Sequence, residues 1–131
     1  TRSFPLPTGA WFAASKDHNY KDMTTITSYA IGIRTSLPVG LVSTYINPQS
    51  LALPVGSQPD QTAVLPAGYV MTGGGGDLRF SPSDNTRQLL WKLMPSVDAN
   101  GGAQFNVGAT FHMSQPTLAA LQPYVVGMKI L

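Results

Sequence analysis

Apolar and polar residues alternate along most of this chain, and they do so with the two-residue period of a β-strand. The segment 24–35, TTITSYAIGIRT, alternates in this way around Gly32 and is rich in β-branched residues. The same pattern recurs in further segments that turn-forming residues separate from one another. These additional predicted strands are 41–46, 67–74, 77–80, 88–94, 103–113 and 123–131.

Proline and glycine interrupt nearly every window, so no segment keeps a 3.6-residue apolar period for three turns. The best helical candidate, 115–121 (QPTLAAL), is about one or two turns long. The clearest turn signal is Asn-Gly within 98–102 (DANGG), which predicts a hairpin between the flanking strands. We therefore predict an all-β domain with little or no helix, arranged as an antiparallel β-sandwich or a prism-like fold.

The two ends of the chain carry similar landmarks in the same order, which indicates an internal repeat with pseudo-twofold symmetry. Residues 29–34 (YAIGIR) align with residues 124–129 (YVVGMK), each with an aromatic residue, a central glycine and a terminal cation. Further landmarks precede this motif in both copies. They are Phe4-Pro5 with Met94-Pro95, Trp11 with Phe105, and His18 with His112.

The repeat divides the single predicted domain, residues 1–131, into unequal parts. Residues 66–131 form a whole second copy, whereas residues 1–35 match only the second half of a copy and lack its opening hairpin. Residues 36–65 are interpreted as an extended linker because 47–66 is rich in Pro, Gln and Ser. An incomplete sheet leaves an open edge, so we expect a cleaved upstream fragment or a neighbouring subunit to supply the missing strands.

The composition limits the surroundings in which this domain is expected and the kinds of binding and chemistry that it can carry out. Charged residues make up 11% of the chain, against about a quarter in ordinary proteins, which is typical of extracellular β-proteins and of subunits buried against neighbours. Lys and Arg are scattered and the net charge is +2, so nucleic-acid binding is not expected. The chain has no cysteine for disulfides or thiolate chemistry, and no apolar run approaches about 18 residues, so no membrane span is expected.

Three motifs resemble a module of roughly 70 residues that recurs in secreted bacterial multidomain proteins. They are GYVMTGGGG (68–76), WFAASKDH (11–18) and TITSYAIGIR (25–34). Residues 1–35 match the second half of the module closely, and 66–131 match a whole copy in which ATFH (109–112) replaces SKDH. The resemblance implies β architecture and an extracellular location, secreted or attached to a surface, and it implies no particular reaction.

Candidate binding residues gather at 16–22, where four charged side chains surround His18 in a chain that has only 8 Lys/Arg and 6 Asp. Asp and Asn side chains hydrogen-bond sugar hydroxyls, and aromatic faces stack on sugar rings. Trp91 adds a second candidate position, because it alternates with Leu90 and Lys92 and is expected to point outward. The predicted ligand-binding residues are Asp17, His18, Asn19, Tyr20 and Trp91.

No catalytic residue, metal ligand or cofactor is predicted. Two histidines without Cys or Glu offer too few ligands for zinc, and the chain has no Gly-x-Ser-x-Gly nucleophile elbow. The glycine run at 73–76 precedes a predicted strand rather than a helix, which argues against a phosphate loop. We favour close approach of a backbone or an aromatic ring, or a β-bulge, with a binding groove floored by glycine as the alternative.

Two functional hypotheses from different classes follow. The favoured one is a non-enzymatic extracellular recognition module that binds glycans or a cell surface through polar loops and exposed aromatic residues. The alternative is a structural subunit of a filament, appendage or surface assembly, completed by strand addition and forming a homo-oligomer. Low charge and the missing hairpin favour assembly, whereas the polar turn with its aromatic residues favours recognition.

Overall fold

The computed structural model of the chain describes residues 2–6, 8–15, 25–30, 32, 43–46, 60–79, 88–111 and 120–129. Within these ranges the chain forms antiparallel β-strands and no helix, so the all-β prediction is confirmed. The described ranges therefore contain no helix long and apolar enough to cross a membrane. The strands are β1 (Arg2–Pro5), β2 (Trp11–Ala14), β3 (Ser43–Ile46), β4 (Asp60–Val64), β5 (Val70–Arg79), β6 (Gln88–Val97), β7 (Ala103–Phe111) and β8 (Ala120–Met128).

The strands form two antiparallel sheets that pack together as a β-sandwich, as the sequence predicts. The larger sheet has the strand order β2-β1-β5-β8-β3, and the smaller has the order β4-β7-β6. The core lies between the sheets, because each strand that faces it buries alternate apolar side chains. The core residues are Leu78, Leu121 and Val125 of the larger sheet, and Ala63, Phe105, Val107 and Ala109 of the smaller, with Leu65 just after β4.

The hairpin between β6 and β7 follows directly from its local sequence. The backbone N–H of Asp98 donates to the carbonyl of Gly102 at 2.8 Å, and Gly101 adopts a φ of +80° that favours glycine. The Asp98 carboxylate accepts hydrogen bonds from the backbone N–H groups of Asn100 and Gly102. The predicted Asn-Gly hairpin is confirmed.

The prediction of a strand at 24–35 is wrong for the residues of this segment that the structure describes. Residues 25–30 and Gly32 form no strand, and all of them are exposed. A strand exists only where another strand completes its hydrogen bonds, and no described strand pairs with this segment. A side-chain hydrogen bond links this segment to the sheet: the hydroxyl of Ser28 donates to the carbonyl of Trp11 at 2.8 Å.

Two strands lie inside residues 36–65, which the composition favours as a linker. β3 pairs with β8, and β4 pairs with β7 and buries Ala63 completely. β3 lies inside the predicted strand 41–46. β4 is not among the predicted strands, and its pairing with a distant partner outweighs the weak strand propensity of its Asp and Gln residues. Similarly, Ala120 and Leu121, at the end of the helical candidate 115–121, belong to β8, and 115–119 lie outside the described residues.

The hairpins β1–β2 and β6–β7 place aligned landmarks at equivalent positions. Pro5 lies opposite Trp11 in the first hairpin, and Pro95 lies opposite Phe105 in the second. The other half of the comparison depends on His18 and His112, which are outside the described residues. The internal repeat therefore stays a prediction.

The glycine run at 73–76 lies within β5, in the middle of the larger sheet. A β-bulge interrupts the pairing of β5 with β8 between Met71 and Gly73. A Cβ atom on Gly74 would collide with the ring of Phe105, and one on Gly75 would collide with the carbonyl oxygen of Ser3. The favoured explanations of the run, close approach and a bulge, are both confirmed.

Candidate functional site

The predicted binding residues fall into two groups. Asp17, His18, Asn19 and Tyr20 lie outside the described residues. Trp91 lies on β6, at the edge of the smaller sheet among the described strands, and its side chain is 50% exposed. The expectation that Trp91 points outward is confirmed.

A β-bulge on β6 accounts for the position of Trp91. Leu90 lies opposite Ala109 and Lys92 lies opposite Gly108, so Trp91 is an extra residue without a partner on β7. Leu90 packs against the core, whereas the indole of Trp91 and the Cβ of Lys92 both lie beside the outer side of Gly108. The bulge therefore places an aromatic ring and a cation next to each other on the solvent side of the sheet.

Gly108 leaves the space that this arrangement occupies. A Cβ atom on Gly108 would lie 2.6 Å from Oδ1 of Asp60 and 2.9 Å from Nε1 of Trp91, closer than side chains pack in proteins. Asp60 reaches this point from β4 and Trp91 from β6, while Gly108 on β7 lies between them. The absence of a side chain in the middle strand brings the two outer strands' side chains together.

The site contains one acidic and one basic side chain, and the two neutralise each other. The ammonium group of Lys92 forms an ion pair with Asp60 across β7, and it lies 5.7 Å from the centre of the Trp91 ring. A partly exposed ion pair contributes about 0.2–1 kcal/mol, and a cation over an exposed aromatic ring contributes a similar amount. These interactions orient the ring of Trp91 and leave this part of the surface without net charge.

A row of polar side chains crosses the same face of the sheet. The hydroxyl of Thr62 donates to Oδ1 of Asn106 at 2.6 Å, and Nδ2 of Asn106 donates to the hydroxyl of Ser96 at 2.5 Å. The row lies two residues along the strands from Gly108, which is about 7 Å. We call this surface the Trp91 face, comprising Asp60, Thr62, Trp91, Lys92, Ser96, Asn106 and Gly108.

A second polar cluster lies on the larger sheet. Asp77 is fully buried and points away from the core, because its neighbour Leu78 points into it. Nε and Nη2 of Arg2 lie 2.5 and 3.0 Å from its two carboxylate oxygens, and Nε of Arg79 lies 2.6 Å from the second oxygen. Phe4 stacks on Tyr124 with 4.8 Å between ring centres, close to the guanidinium of Arg2.

The electrostatics of this cluster indicate a structural role. Burial by itself would raise the pKa of Asp77, but hydrogen bonds from Arg2 and Arg79 outweigh it and hold the pKa below its usual value. Burial raises the pKa of the Tyr124 hydroxyl, and the nearby Asp77 charge raises it further. Because both carboxylate oxygens are already occupied, the cluster joins β1 to β5 rather than forming an open binding site.

The role of Asp77 is not among those that the sequence predicts. An aspartate commonly forms an Asx turn, as Asp98 does, whereas Asp77 lies within β5. Strand alternation does place Asp77 and Arg79 on one face, so part of the cluster could be recognised from the chain. The contribution of Arg2 could not, since it lies 75 residues away in the sequence.

No family model, curated protein or solved structure matches this chain. The kind of ligand that the Trp91 face can bind therefore follows from its own side chains. It offers an aromatic ring, an amide, two hydroxyls and a neutralised ion pair on a sheet surface. Among the described residues, no three His, Asp, Glu or Cys side chains come together to hold a metal ion. The aromatic, amide and hydroxyl groups of the Trp91 face suit reversible binding of a neutral ligand.

Proposed function

We propose that this protein is a non-enzymatic, extracellular recognition module that binds glycans on the Trp91 face. The observation that carries the proposal is Trp91 itself, which is half exposed and held beside the Asp60–Lys92 pair above a residue without a side chain. A tryptophan ring can stack on the C–H face of a sugar, and neighbouring amide and carboxylate groups can bind its hydroxyls.

The charge of the face favours a neutral glycan over an anionic ligand or an acidic peptide. Lys92 is already paired with Asp60, so neither charge is left free to attract a counterion. Asn106 and Thr62 hold each other by a hydrogen bond, which reduces the entropy lost when a sugar hydroxyl binds there. The low overall charge of the chain supports the extracellular setting.

Replacing Trp91 by alanine should weaken glycan binding by about 30-fold or more, because a central aromatic anchor contributes about 2 kcal/mol or more. Replacing it by phenylalanine should retain part of the affinity. The measurement is a glycan array with the unmodified chain, followed by calorimetric titration of the best neutral glycan against each variant. Thermal unfolding should change little, because half of the side chain is exposed to solvent.

A matched control is available on the other sheet. Val70 is an exposed apolar residue of β5, so Val70→Ala should leave glycan affinity unchanged. A blank array, or undiminished binding by Trp91→Ala, would refute the proposal. Saturable binding that Val70→Ala weakens as much as Trp91→Ala would place the site elsewhere.

The alternative of an assembly subunit depends on strand addition, and β6 is poorly suited to it. β6 is a long strand with exposed Leu93, Met94 and Val97, which are features that promote aggregation at a sheet edge. Pro95 lacks a backbone N–H, however, and the bulge at Trp91 disrupts the regular spacing. Both features oppose continuous pairing along this edge, so we favour recognition over assembly through β6.

A further inference from the structure

The outer side of the smaller sheet is organised in levels along β7. Phe105 and Val107 of this strand are in the core, so the alternate positions Gly108, Asn106 and Gln104 point outward. β7 lies between β4 and β6, and residues paired across neighbouring strands point to the same side of a sheet. Each of the three outward positions therefore forms a level with one residue from each neighbouring strand, and successive levels are about 7 Å apart.

The second level repeats the combination of an apolar side chain and polar groups that is found at Trp91. Met94 of β6 lies opposite Asn106 and is 45% exposed. Thr62 of β4 lies opposite Asn106 on the other side and donates to its Oδ1, while its Nδ2 donates to the hydroxyl of Ser96. These bonds use one donor and one acceptor site of the amide. Its second N–H and second lone pair have no other partner among the described residues.

The third level has the same composition. Val64 of β4 and Ser96 of β6 both lie opposite Gln104, and Val64 is 42% exposed. This level again offers an apolar side chain, an amide and a hydroxyl. From the level of Gly108 to that of Gln104, the surface extends over about 14 Å along β7, which is longer than a single sugar ring.

We propose that this surface binds an extended neutral oligosaccharide, with one sugar unit on Trp91 and the next on Met94 and Asn106. The inference rests on the proposed glycan-binding function and specifies the ligand as a glycan chain rather than a single terminal sugar. A sugar unit has an apolar C–H surface and a hydroxyl edge, and each level offers a partner for both. The remaining N–H and lone pair of Asn106 belong to one amide, so they can bind two hydroxyls on neighbouring carbons of the same sugar.

Side chains, rather than backbone groups, are available to recognise the ligand on this surface. β7 pairs with β4 on one side and with β6 on the other over residues 104–108, so the backbone groups of the middle strand already have partners. An extended peptide would bury its own backbone N–H and C=O groups against a surface that offers only side-chain partners for them, which is costly. The hydroxyls of a sugar both donate and accept hydrogen bonds, so they match scattered amide and hydroxyl groups.

Titration of the full chain with glycans of increasing length tests the proposal. The probes are fragments of one to four consecutive sugar units of the best neutral glycan on the array. We expect affinity to increase by about tenfold or more between one unit and three, and to change little with a fourth. The NMR signal of the Trp91 indole N–H reports whether even the single sugar occupies the first level.

Substitutions at the second level supply the other arm of the test. Asn106→Ala should weaken binding of the longer fragments by about tenfold and leave the single sugar unaffected, because the single sugar occupies Trp91. Met94→Ala should act in the same direction. Val97→Ala is the matched control and should bind normally. Val97 is also an exposed apolar residue of β6, but it lies opposite Ala103, which packs against the core, so it points to the other side of the sheet.

The proposed function and this inference fail in different ways. Absence of glycan binding, or binding that Trp91→Ala does not weaken, would refute both. If Trp91→Ala weakens binding but a single sugar binds as tightly as three units, the glycan site stands and the extended site is wrong. Affinity that increases with length but is the same in Asn106→Ala and Met94→Ala would also overturn the inference, since the additional units would then lie elsewhere.

Discussion

Replacing Gly74 by alanine is expected to destabilise the domain by about 3 kcal/mol, whereas the same change at Gly73 should alter stability by less than about 1 kcal/mol. The two glycines are neighbours in β5, and neither has the positive φ that favours glycine. The difference is the surroundings of the added methyl group. At Gly74 it would collide with the ring of Phe105, which is buried between the sheets, and at Gly73 it would meet no atom within 4 Å.

Urea unfolding of Gly73→Ala and Gly74→Ala, followed by circular dichroism, measures this contrast. Phe105→Leu should relieve part of the damage in Gly74→Ala, although Phe105→Leu by itself removes buried ring atoms and is destabilising. The double-mutant cycle should therefore show coupling of about 1 kcal/mol or more between positions 74 and 105. Equal stability of Gly73→Ala and Gly74→Ala would contradict the packing of Phe105 on β5.

Asp77→Asn should lower the free energy of unfolding at pH 7 by about 2 kcal/mol. Breaking a buried ion pair by removing one partner costs about 3–5 kcal/mol, but the side chains of Arg2 and Arg79 are 36% and 57% exposed, and water compensates part of their loss. Asparagine also keeps the shape of the side chain and one acceptor oxygen. The loss should weaken the attachment of β1 to β5, which this cluster joins.

The same carboxylate makes stability depend on pH in a defined direction. The pKa of Asp77 is lower in the folded protein than its ordinary value of 3.8, which the unfolded chain should retain. Its contribution is therefore fully present above about pH 5 and is lost as the pH falls through the ordinary value towards the folded one. The stability difference between the native chain and Asp77→Asn should consequently shrink between pH 5 and acid conditions.

Asp60→Asn is the matched control for this prediction. Asp60 also pairs with a cation, but its side chain is 42% exposed, so its removal should cost less than about 1 kcal/mol. Urea unfolding of the native chain and both variants at neutral and acid pH makes the comparison. A loss of stability in Asp77→Asn that is no larger than in Asp60→Asn, or that persists unchanged at low pH, would show that the buried cluster is not formed.

Parts of this fold were predictable because their signals are local. The β6–β7 hairpin combines two-residue alternation with the turn sequence DANGG, and Asp98 completes its own turn within a few residues. The outward position of Trp91 was also predictable, since it follows from the pattern of a half-buried strand. The neighbours of Trp91 were not, because Asp60 lies 32 residues from Lys92 and meets it only across β7.

The chain by its own pattern specifies an all-β fold, either a sandwich or a prism, with one clear hairpin and a set of possible strands, because alternation and turn chemistry act between near neighbours. Only the tertiary structure decides which possible strands find a partner. β4 forms within a composition typical of linkers because β7 lies beside it, whereas residues 25–30 keep a strand pattern without a strand. Pairing between strands that are distant along the chain, such as β4 with β7, and buried ion pairs such as Arg2–Asp77 join groups far apart in sequence, so local sequence cannot determine them.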